Sequence, residues 1–127
     1  QNSYPIIYPK IKDQIKSDKT VYQWRRKYVR ENKNCVCPTL TANMGTGGHN
    51  VPLILDNKRI RKLTPRECFN LQGFPKSFSL TDKLSDTSLY KIAGNSVPVP
   101  VIFRIAKNIK LSLQNIKTGT YLQQRII

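Results

Sequence analysis

Acidic residues are scarce in this chain. Only 7 Asp and Glu accompany 22 Lys and Arg among its 127 residues, which gives a formal net charge of +15. Such an excess favours a polyanionic partner, because each phosphate that a basic side chain neutralises releases condensed counterions. An A+T-rich genome that favours lysine would also produce a basic surface, but one that is merely solvated. The charge therefore favours nucleic acid as a partner and leaves the solvated surface open.

Histidine and cysteine are also few, with one His and three Cys. A structural zinc site needs four ligands, and one His with a single Cys-x-Cys pair does not supply them. Cys35 and Cys37 are too close in sequence for an ordinary disulfide, so this odd set of cysteines fits a reducing, intracellular compartment. We expect no metal site and a cytoplasmic location of the bacterial or phage type.

Long apolar runs are missing as well. No stretch approaches the ~20 residues of a membrane span and no secretory signal is visible, so a soluble protein without a membrane partner is predicted. A chain of 127 residues suits one domain with a modest core. The first residue is Gln1 rather than Met, which suggests an excerpt or a processed product.

The first half of the chain predicts a small antiparallel β unit. Aromatic and β-branched side chains favour strands, whereas three glycines within residues 43–48 predict a loop. Asp56 and Asn57 tolerate positive φ and predict a hairpin turn, and residues 31–34 predict another turn. The predicted strands are 21–29, 35–42, 51–55 and 60–63. Residues 1–20 are an irregular lead-in, in which a short helix could place three isoleucines on one face: Ile7, Ile11 and Ile15.

The second half begins with a strong helix signal. Thr64 can cap a helix that starts with proline, and Glu67 at the third helical position completes a capping box. The helix is expected to end at Gly73, with Cys68 and Leu71 facing inward. Two aromatic residues are expected to cover its end: Phe74 and Phe78.

Two further helices follow. Ser85 can cap the first, over residues 86–93, which Gly94 is expected to end. The second starts near Pro100 and carries apolar residues at helical spacing, with fraying expected after Gln114. Its apolar face comprises Val101, Ile102, Ile105, Ala106, Ile109 and Leu113. The predicted fold class is α+β, a small antiparallel β unit followed by short helices and one C-terminal amphipathic helix.

Two motifs carry a family resemblance. Residues 61–75 read Arg-Lys-Leu-Thr-Pro-Arg-Glu-Cys-Phe-Asn-Leu-Gln-Gly-Phe-Pro, and residues 90–97 read Tyr-Lys-Ile-Ala-Gly-Asn-Ser-Val. Together they closely resemble the last two shared motifs of cytosine-5 DNA methyltransferases. A well-capped structural helix would also explain Thr64, Glu67 and Gly73, but it leaves the polar residues Arg66 and Gln72 without a reason.

The resemblance implies a C-terminal portion of such an enzyme. The family's Phe-x-Gly-x-Gly cofactor loop, Pro-Cys nucleophile and Glu-Asn-Val acid are absent from the sequence. Residues 1–83 would then form part of the target-recognition domain, and 84–127 the helices that return to the catalytic domain. The complete enzyme would transfer a methyl group from S-adenosylmethionine to carbon 5 of a flipped-out cytosine in double-stranded DNA. The N-terminal catalytic portion would be a partner, and this chain would hold no catalytic residue.

The resemblance places DNA contacts in the segment around Thr39 and Thr41. In relatives the first of these threonines contacts the phosphate beside the target cytosine, and the loop that follows reads base edges in the major groove. Hydroxyls and backbone amides suit phosphate, and glycine lets the main chain come close. A phosphate cradle for a nucleotide is the competing interpretation, but the loop lacks the Lys-Ser/Thr ending. The loop residues expected near DNA are Asn43, Met44 and Gly45, within the stretch 43–48.

Three arginines are candidates for base readout: Arg25, Arg26 and Arg30. The guanidinium fork matches guanine O6 and N7, whereas lysine acts mainly as a point charge. In one continuous strand Arg26 and Arg30 would share a face, with Arg25 on the other. At least one of the three is therefore expected to be only solvated.

The second motif implies cofactor contacts by Asn95, Ser96 and Val97, although Gly94 with its neighbours could also be a plain helix stop. At residues 92–93 this chain has Ile-Ala where many members have Gln and an apolar residue, which weakens any role at position 92. Cys37 precedes Pro38, the reverse of the family's Pro-Cys pair, and is interpreted as a half-buried strand residue.

Two alternatives to a fragment remain open. The chain could be the natural small subunit of a split cytosine-5 methyltransferase, since the family occurs as two complementing polypeptides. It could also be a DNA-binding module without enzymatic activity. The sequence upstream in the gene would distinguish the three cases.

Overall fold

The computed structural model describes residues 8–25, 27–46 and 51–118. A four-stranded antiparallel sheet is followed by helices, which confirms the predicted α+β class. The strands are β1 (Val21–Trp24), β2 (Val29–Asn32), β3 (Pro52–Asp56) and β4 (Arg59–Lys62). The helices are α1 (Tyr8–Ile11), α2 (Pro65–Leu71), α3 (Asp86–Asn95) and α4 (Val99–Thr118), with a 3₁₀ turn at Lys33–Cys35.

The sheet has the order β2-β1-β3-β4, with β2 and β4 at its edges. The β3–β4 hairpin was predicted at this position, and its two central residues, Asn57 and Lys58, have φ of 47° and 63°. Positive φ at both positions matches the right-handed twist of the flanking strands. Asn57 was expected to accept this conformation, whereas Lys58 adopts it because the tight connection requires it.

The prediction of a single strand over residues 21–29 is wrong. Trp24 pairs with Val29, and the amide of Arg25 donates to the carbonyl of Tyr28 at 2.9 Å, so the chain reverses between β1 and β2. The alternating-face assignment of the arginines fails with it, because Arg25 lies at the turn; Arg26 lies outside the described residues. The apolar pattern concealed the turn, since aromatic and β-branched residues flank it on both sides.

The strand predicted for residues 35–42 is also absent. Residues 36–41 have no regular structure, and Cys37 and Leu40 pack against the core from this irregular segment. Pro38 has no amide hydrogen for a sheet ladder, which helps to keep the segment out of the sheet. The predicted turn at 31–34 begins later than expected, since Glu31 still pairs with Tyr22 in the sheet.

Helix α2 has the predicted capping box. The Thr64 hydroxyl accepts from the Glu67 amide at 3.2 Å, while the Glu67 carboxylate accepts from the Thr64 amide at 2.7 Å. Gly73 follows with φ of 80°. The inward face was partly misassigned, because Leu71 is 52% exposed whereas Phe69 is buried beside Cys68. Spacing of three, four and seven from the first helical proline favours positions 68, 69 and 72 for burial.

Aromatic rings cover the end of α2. The ring centroids of Phe69 and Phe74 are 5.1 Å apart, and those of Phe69 and Phe78 are 5.6 Å apart. Edge-to-face and tilted geometries at these distances are favourable for aromatic pairs. The predicted cover by Phe74 and Phe78 is therefore confirmed, although Phe78 remains 40% exposed.

Two apolar clusters hold the molecule together. One joins α1 to the sheet through Ile11, Ile15, Tyr22 and Leu53. The other lies between the sheet, the 36–46 segment, α2 and α3, and contains Met44, Val51, Leu63, Cys68, Phe69, Tyr90 and Ala93. Ile11 and Ile15 thus anchor the described part of the lead-in to the sheet, whereas Ile7 lies outside the described residues.

Helices α3 and α4 depart from prediction at their ends. Ser85 caps α3 as expected, but the helix continues through Gly94 to Asn95. Helix α4 begins at Val99 and extends to Thr118, past the expected fraying at Gln114. The other described residues leave much of its predicted apolar face uncovered, since Val101, Ile105, Ile109 and Leu113 are about half exposed, at 53%, 49%, 56% and 55%.

Candidate DNA-binding groove and cofactor motif

A groove of about 780 Å³ lies between the β1–β2 hairpin and the irregular segment that follows it. Four residues predicted to contact DNA line it: Arg25, Arg30, Thr39 and Thr41. The hairpin places the two arginines on one side, and the 3₁₀ turn sends the chain back so that the threonines face them. Residues up to sixteen positions apart, from 25 to 41, thereby share one surface.

The charge of the groove favours an anion. Arg25, Arg30 and Lys33 are exposed lining residues, and Glu31 is the acidic one among the residues that line it. Gln23, which pairs with Arg30 across the two strands, is a buried lining residue. Guanidinium groups suit guanine or phosphate, and hydroxyls suit phosphate oxygens. The sequence pattern did not identify Lys33 and Gln23 as groove residues. For Lys33, its place in a predicted turn was the one sign of an exposed position.

Cys37 lines the groove but lacks the character of a nucleophile. Burial raises the pKa of its thiol to about 11, and its sulfur donates weakly to the Pro38 carbonyl at 3.4 Å. Burial likewise raises the pKa of Cys68 to about 12. A reactive cysteine requires a thiolate near neutral pH. Both thiols are therefore protonated at neutral pH. The half-buried position predicted for Cys37 is confirmed, but the residue lies in an irregular segment and not in the predicted strand.

The turn after Thr41 holds the remaining predicted DNA contacts. The Thr41 hydroxyl donates to Asn43 Oδ1 at 2.7 Å, and the Met44 amide donates to the Thr41 carbonyl at 3.1 Å. Asn43 is exposed at the surface. The Met44 side chain has no exposed surface and belongs to the main core, so it anchors the turn, while the DNA contact predicted for this residue stays a prediction. Gly47 and Gly48 lie outside the described residues.

Two glycines bring this turn against α3. A Cβ on Gly45 would lie 2.7 Å from the Thr87 Cα, and the Thr87 hydroxyl donates to the Gly45 carbonyl at 3.3 Å. A Cβ on Gly94 would collide with the backbone of Thr41 and Ala42. The turn therefore crosses both ends of α3 at backbone-to-backbone distance. Gly94 serves this close approach rather than the helix stop that was predicted.

The predicted cofactor residues lie at the C-terminal end of α3. Ser96 caps the helix, with its amide donating to the Ile92 carbonyl at 3.0 Å and its hydroxyl to the Ala93 carbonyl at 2.8 Å. Asn95 is exposed, and Val97 is 53% exposed. None of the three lines the groove, but Gly94 joins their segment directly to Thr41.

The sequence pattern gave no reason for Gln72 and Arg66. In the structure, the two side chains differ in whether they have a hydrogen-bond partner. The Gln72 side chain is buried and donates to the Ala93 carbonyl at 2.5 Å, so it ties α2 to the end of α3. Arg66 has a buried Nη1 with no hydrogen-bond partner among the described residues. A specific tertiary contact therefore accounts for Gln72.

Arg61 reinforces the start of α2 from β4. It makes a bidentate ion pair with Glu67, with both N–O distances at 2.9 Å, and its Nε lies 2.7 Å from Asp56. The bond from Arg61 lowers the pKa of the Glu67 carboxyl to about 2, helped by the Thr64 amide. This network connects the hairpin to the capping box and is structural.

Within 8–25, 27–46 and 51–118, no helix combines the length and apolar character that crossing a bilayer requires. In the same part of the chain, no three side chains of His, Cys, Asp or Glu come together as a metal site would need.

Comparison with known proteins agrees with the two motifs. The family model of the C-5 cytosine-specific DNA methylases matches residues 1–111. The type II methyltransferase M.Bsp6I of a Bacillus species is 67% identical over 107 residues, which are 84% of this chain and 34% of that protein. M1.ScrFI of Lactococcus lactis subsp. cremoris is 43% identical over 79 residues, which are 62% of this chain and 20% of that protein.

A third relative, M.HpaII of Haemophilus parainfluenzae, is 47% identical over 62 residues, or 49% of this chain and 17% of that protein. The chain thus spans about a third or less of the length of these relatives. No solved structure matches it. Because the family model covers most of its residues, the chain belongs to the C-5 cytosine-specific DNA methylase family.

Proposed function

We propose that this chain supplies DNA target recognition and part of the S-adenosylmethionine pocket of a DNA (cytosine-5-)-methyltransferase. Residues 1–83 act as part of the target-recognition domain, and residues 84–127 as helices that pack on the catalytic domain. The observation that carries the proposal is the basic groove, in which Arg25 and Arg30 face Thr39 and Thr41. The DNA bound is double-stranded, and the protein is cytoplasmic in a bacterial or phage-type setting.

The groove residues have distinct roles in this proposal. Thr39 and Thr41 hold the phosphate backbone and so set the register of the protein on the duplex. Arg25 and Arg30 read guanine edges, and Arg26, which lies outside the described residues, is the third candidate. Lys33 adds non-specific attraction to phosphate. Asn43 and the backbone of Gly45 approach the bases, while the buried Met44 fixes their turn to the core.

The cofactor residues fit the proposed ligand by their chemistry. The Asn95 side chain offers an exposed amide for polar groups, and half-exposed Val97 offers an apolar surface for a base ring. The Ser96 hydroxyl donates to the Ala93 carbonyl. Ser96 therefore holds the backbone of this segment in place and also lines the proposed cofactor pocket. When bound, S-adenosylmethionine supplies the methyl group that is transferred.

Catalysis itself requires the N-terminal catalytic portion. The two described thiols, Cys37 and Cys68, are held protonated by burial, as their raised pKa values indicate. Because the sequence also lacks the Pro-Cys motif, the chain alone is inactive in this proposal, and the nucleophile and the acid come from the partner portion. The exposed apolar residues of α4 supply the surface on which that portion packs.

A partner portion can be joined in one polypeptide or supplied as a second subunit. The exposed face of α4 favours both of these over a module that acts alone, because an exposed apolar face of this length costs free energy in water. Co-expression with the catalytic portion separates the cases: methylation restored in trans supports a chain able to act as a subunit.

The DNA assignment is tested by binding to a duplex at several salt concentrations. We expect weak binding whose affinity falls steeply with salt, and Arg30→Ala should weaken it by about tenfold and reduce the salt slope by about one. Arg59→Ala is the matched control, because it removes the same charge from β4, at the opposite edge of the sheet from β2. A flat salt response, or equal losses for the two variants, would contradict the proposal.

A further inference from the structure

Gln72 holds both sides of the segment that carries the proposed cofactor residues. Its side-chain Nε2 donates to the Ala93 carbonyl at 2.5 Å, just before residues 95–97. Its backbone carbonyl accepts from the Val99 amide at 2.8 Å, just after them. The side chain is buried, with 7% of the residue exposed. One residue at the end of α2 thus connects the end of α3 with the start of α4.

The neighbouring contacts leave this junction little freedom. The Ala93 carbonyl also accepts from the Ser96 hydroxyl at 2.8 Å, so the Gln72 amide and Ser96 converge on one oxygen. Next to Gln72, a Cβ on Gly73 would lie 2.6 Å from the Pro100 Cδ, which shows how closely the start of α4 approaches. Displacement of the Gln72 side chain would therefore first disturb the hydrogen bond of Ser96 to the Ala93 carbonyl.

We propose that Gln72 is a positioning residue for the methyl-donor site. It fixes the place of Asn95, Ser96 and Val97 through the Ala93 carbonyl and does not itself contact the ligand. This inference rests on the proposed cofactor role of those three residues. It predicts a selective effect: loss of the amide lowers the affinity for S-adenosylmethionine, whereas DNA binding is retained because Gln72 does not line the groove.

Two variants remove the donor while keeping the shape of the side chain. Gln72→Met leaves the Ala93 carbonyl without this bond, and Gln72→Glu places carboxylate oxygen against that carbonyl. The glutamate variant should therefore be the more severe. Tyr90→Phe is the matched control, because the Tyr90 hydroxyl also makes a buried bond to a backbone carbonyl, that of Leu63 at 2.6 Å, away from the junction.

The first measurement is amide hydrogen exchange of the whole chain. We expect the Ser96 amide to exchange about tenfold faster in Gln72→Glu and about fivefold faster in Gln72→Met, in line with the loss of one buried hydrogen bond. Tyr90→Phe should leave Ser96 unchanged relative to the rest of α3. Equal exchange at Ser96 in the three variants would overturn the proposal without reference to the cofactor.

The second measurement is S-adenosylmethionine binding and methyl transfer by the chain combined with its catalytic portion. Gln72→Glu should raise the KM for S-adenosylmethionine about tenfold, with the KM for DNA and the kcat changed less than twofold, and Tyr90→Phe should change none of them. Equal affinity of wild type and Gln72→Glu would overturn the positioning role alone. A wild-type complex that neither binds the donor nor methylates DNA would instead refute the proposed function.

Discussion

Residues 8–98 and helix α4 differ in how far their apolar side chains are buried. The first region buries two clusters around its sheet and short helices. Helix α4 is bonded to that region at its start, through the Val99 amide, but leaves Phe103 71% exposed and Ile109 56% exposed. Among the described residues, the first region therefore has a core of its own, whereas the apolar face of α4 is largely exposed and is the surface that the proposed catalytic portion would cover. The four changes below test that difference, from the largest expected effect to the smallest.

Replacement of Ile105 and Ile109 by lysine should separate the two regions most clearly. Each isoleucine contributes roughly 1.5–3 kcal/mol when buried, so the double change should weaken association with the catalytic portion at least a hundredfold. The isolated chain should lose less than about 0.5 kcal/mol of stability, because both residues are exposed there. A pull-down and urea denaturation measure the two effects. Lys107→Ala with Lys110→Ala on the opposite face is the control, and equal loss of association there would argue against α4 as the contact.

Gly94→Ala should lower the stability of the folded region formed by residues 8–98. The added Cβ would collide with the backbone of Thr41 and Ala42, which cannot move without disturbing Met44 in the core. We expect a loss of about 3 kcal/mol in the free energy of unfolding. Lys91→Ala, on an exposed position of the same helix, is the control and should change stability by less than about 0.5 kcal/mol. A stable Gly94→Ala chain with unchanged DNA binding would show that the turn is not clamped by α3.

Tyr90→Phe should cost about 1–2 kcal/mol, because the Leu63 carbonyl loses a buried donor at 2.6 Å. Thermal unfolding measures this loss. Burial raises the pKa of Tyr90 to about 12 from 10.0, so the folded state keeps the proton longer than the unfolded state. The stability of the wild type should therefore be fully present below pH 10 and fall as the pH rises towards 12, and this fall should be smaller in Tyr90→Phe.

Glu67→Gln should have the smallest effect at neutral pH. The bond from Arg61 lowers the pKa of Glu67 from 4.5 to about 2, so its contribution is present above pH 4.5 and is lost as the pH falls towards 2. Because both partners are about one-third exposed, solvent screening limits the contribution to about 1 kcal/mol or less. Acid unfolding followed by circular dichroism should show a shallower loss between pH 4.5 and 2 in the variant. An unchanged acid profile would mean that other carboxyls dominate it.

Local chemistry predicted the regular elements better than the irregular ones. The capping box of α2, the cap of α3 and the hairpin at Asn57 were all confirmed, because each depends on bonds within a few residues. The strand predicted over 35–42 was wrong, since its apolar residues pack into a core from an irregular segment. The sequence did not predict the turn after Trp24, because residues 25–28 contain no Gly, Pro, Asn or Asp. A short apolar run by itself does not distinguish a strand from an irregular segment that packs into the core.

By itself, the sequence determined the family, through two motifs, and it determined the α+β class, the helix caps and the basic charge. Tertiary structure alone decided that Arg25, Arg30, Thr39 and Thr41 share a groove, that Met44 is buried and that Gly94 touches Thr41. It also assigned a contact to Gln72, whose partner Ala93 lies 21 residues away. The physical reason is range: caps and turns depend on neighbours along the chain, whereas burial and close backbone contact depend on segments that folding brings together.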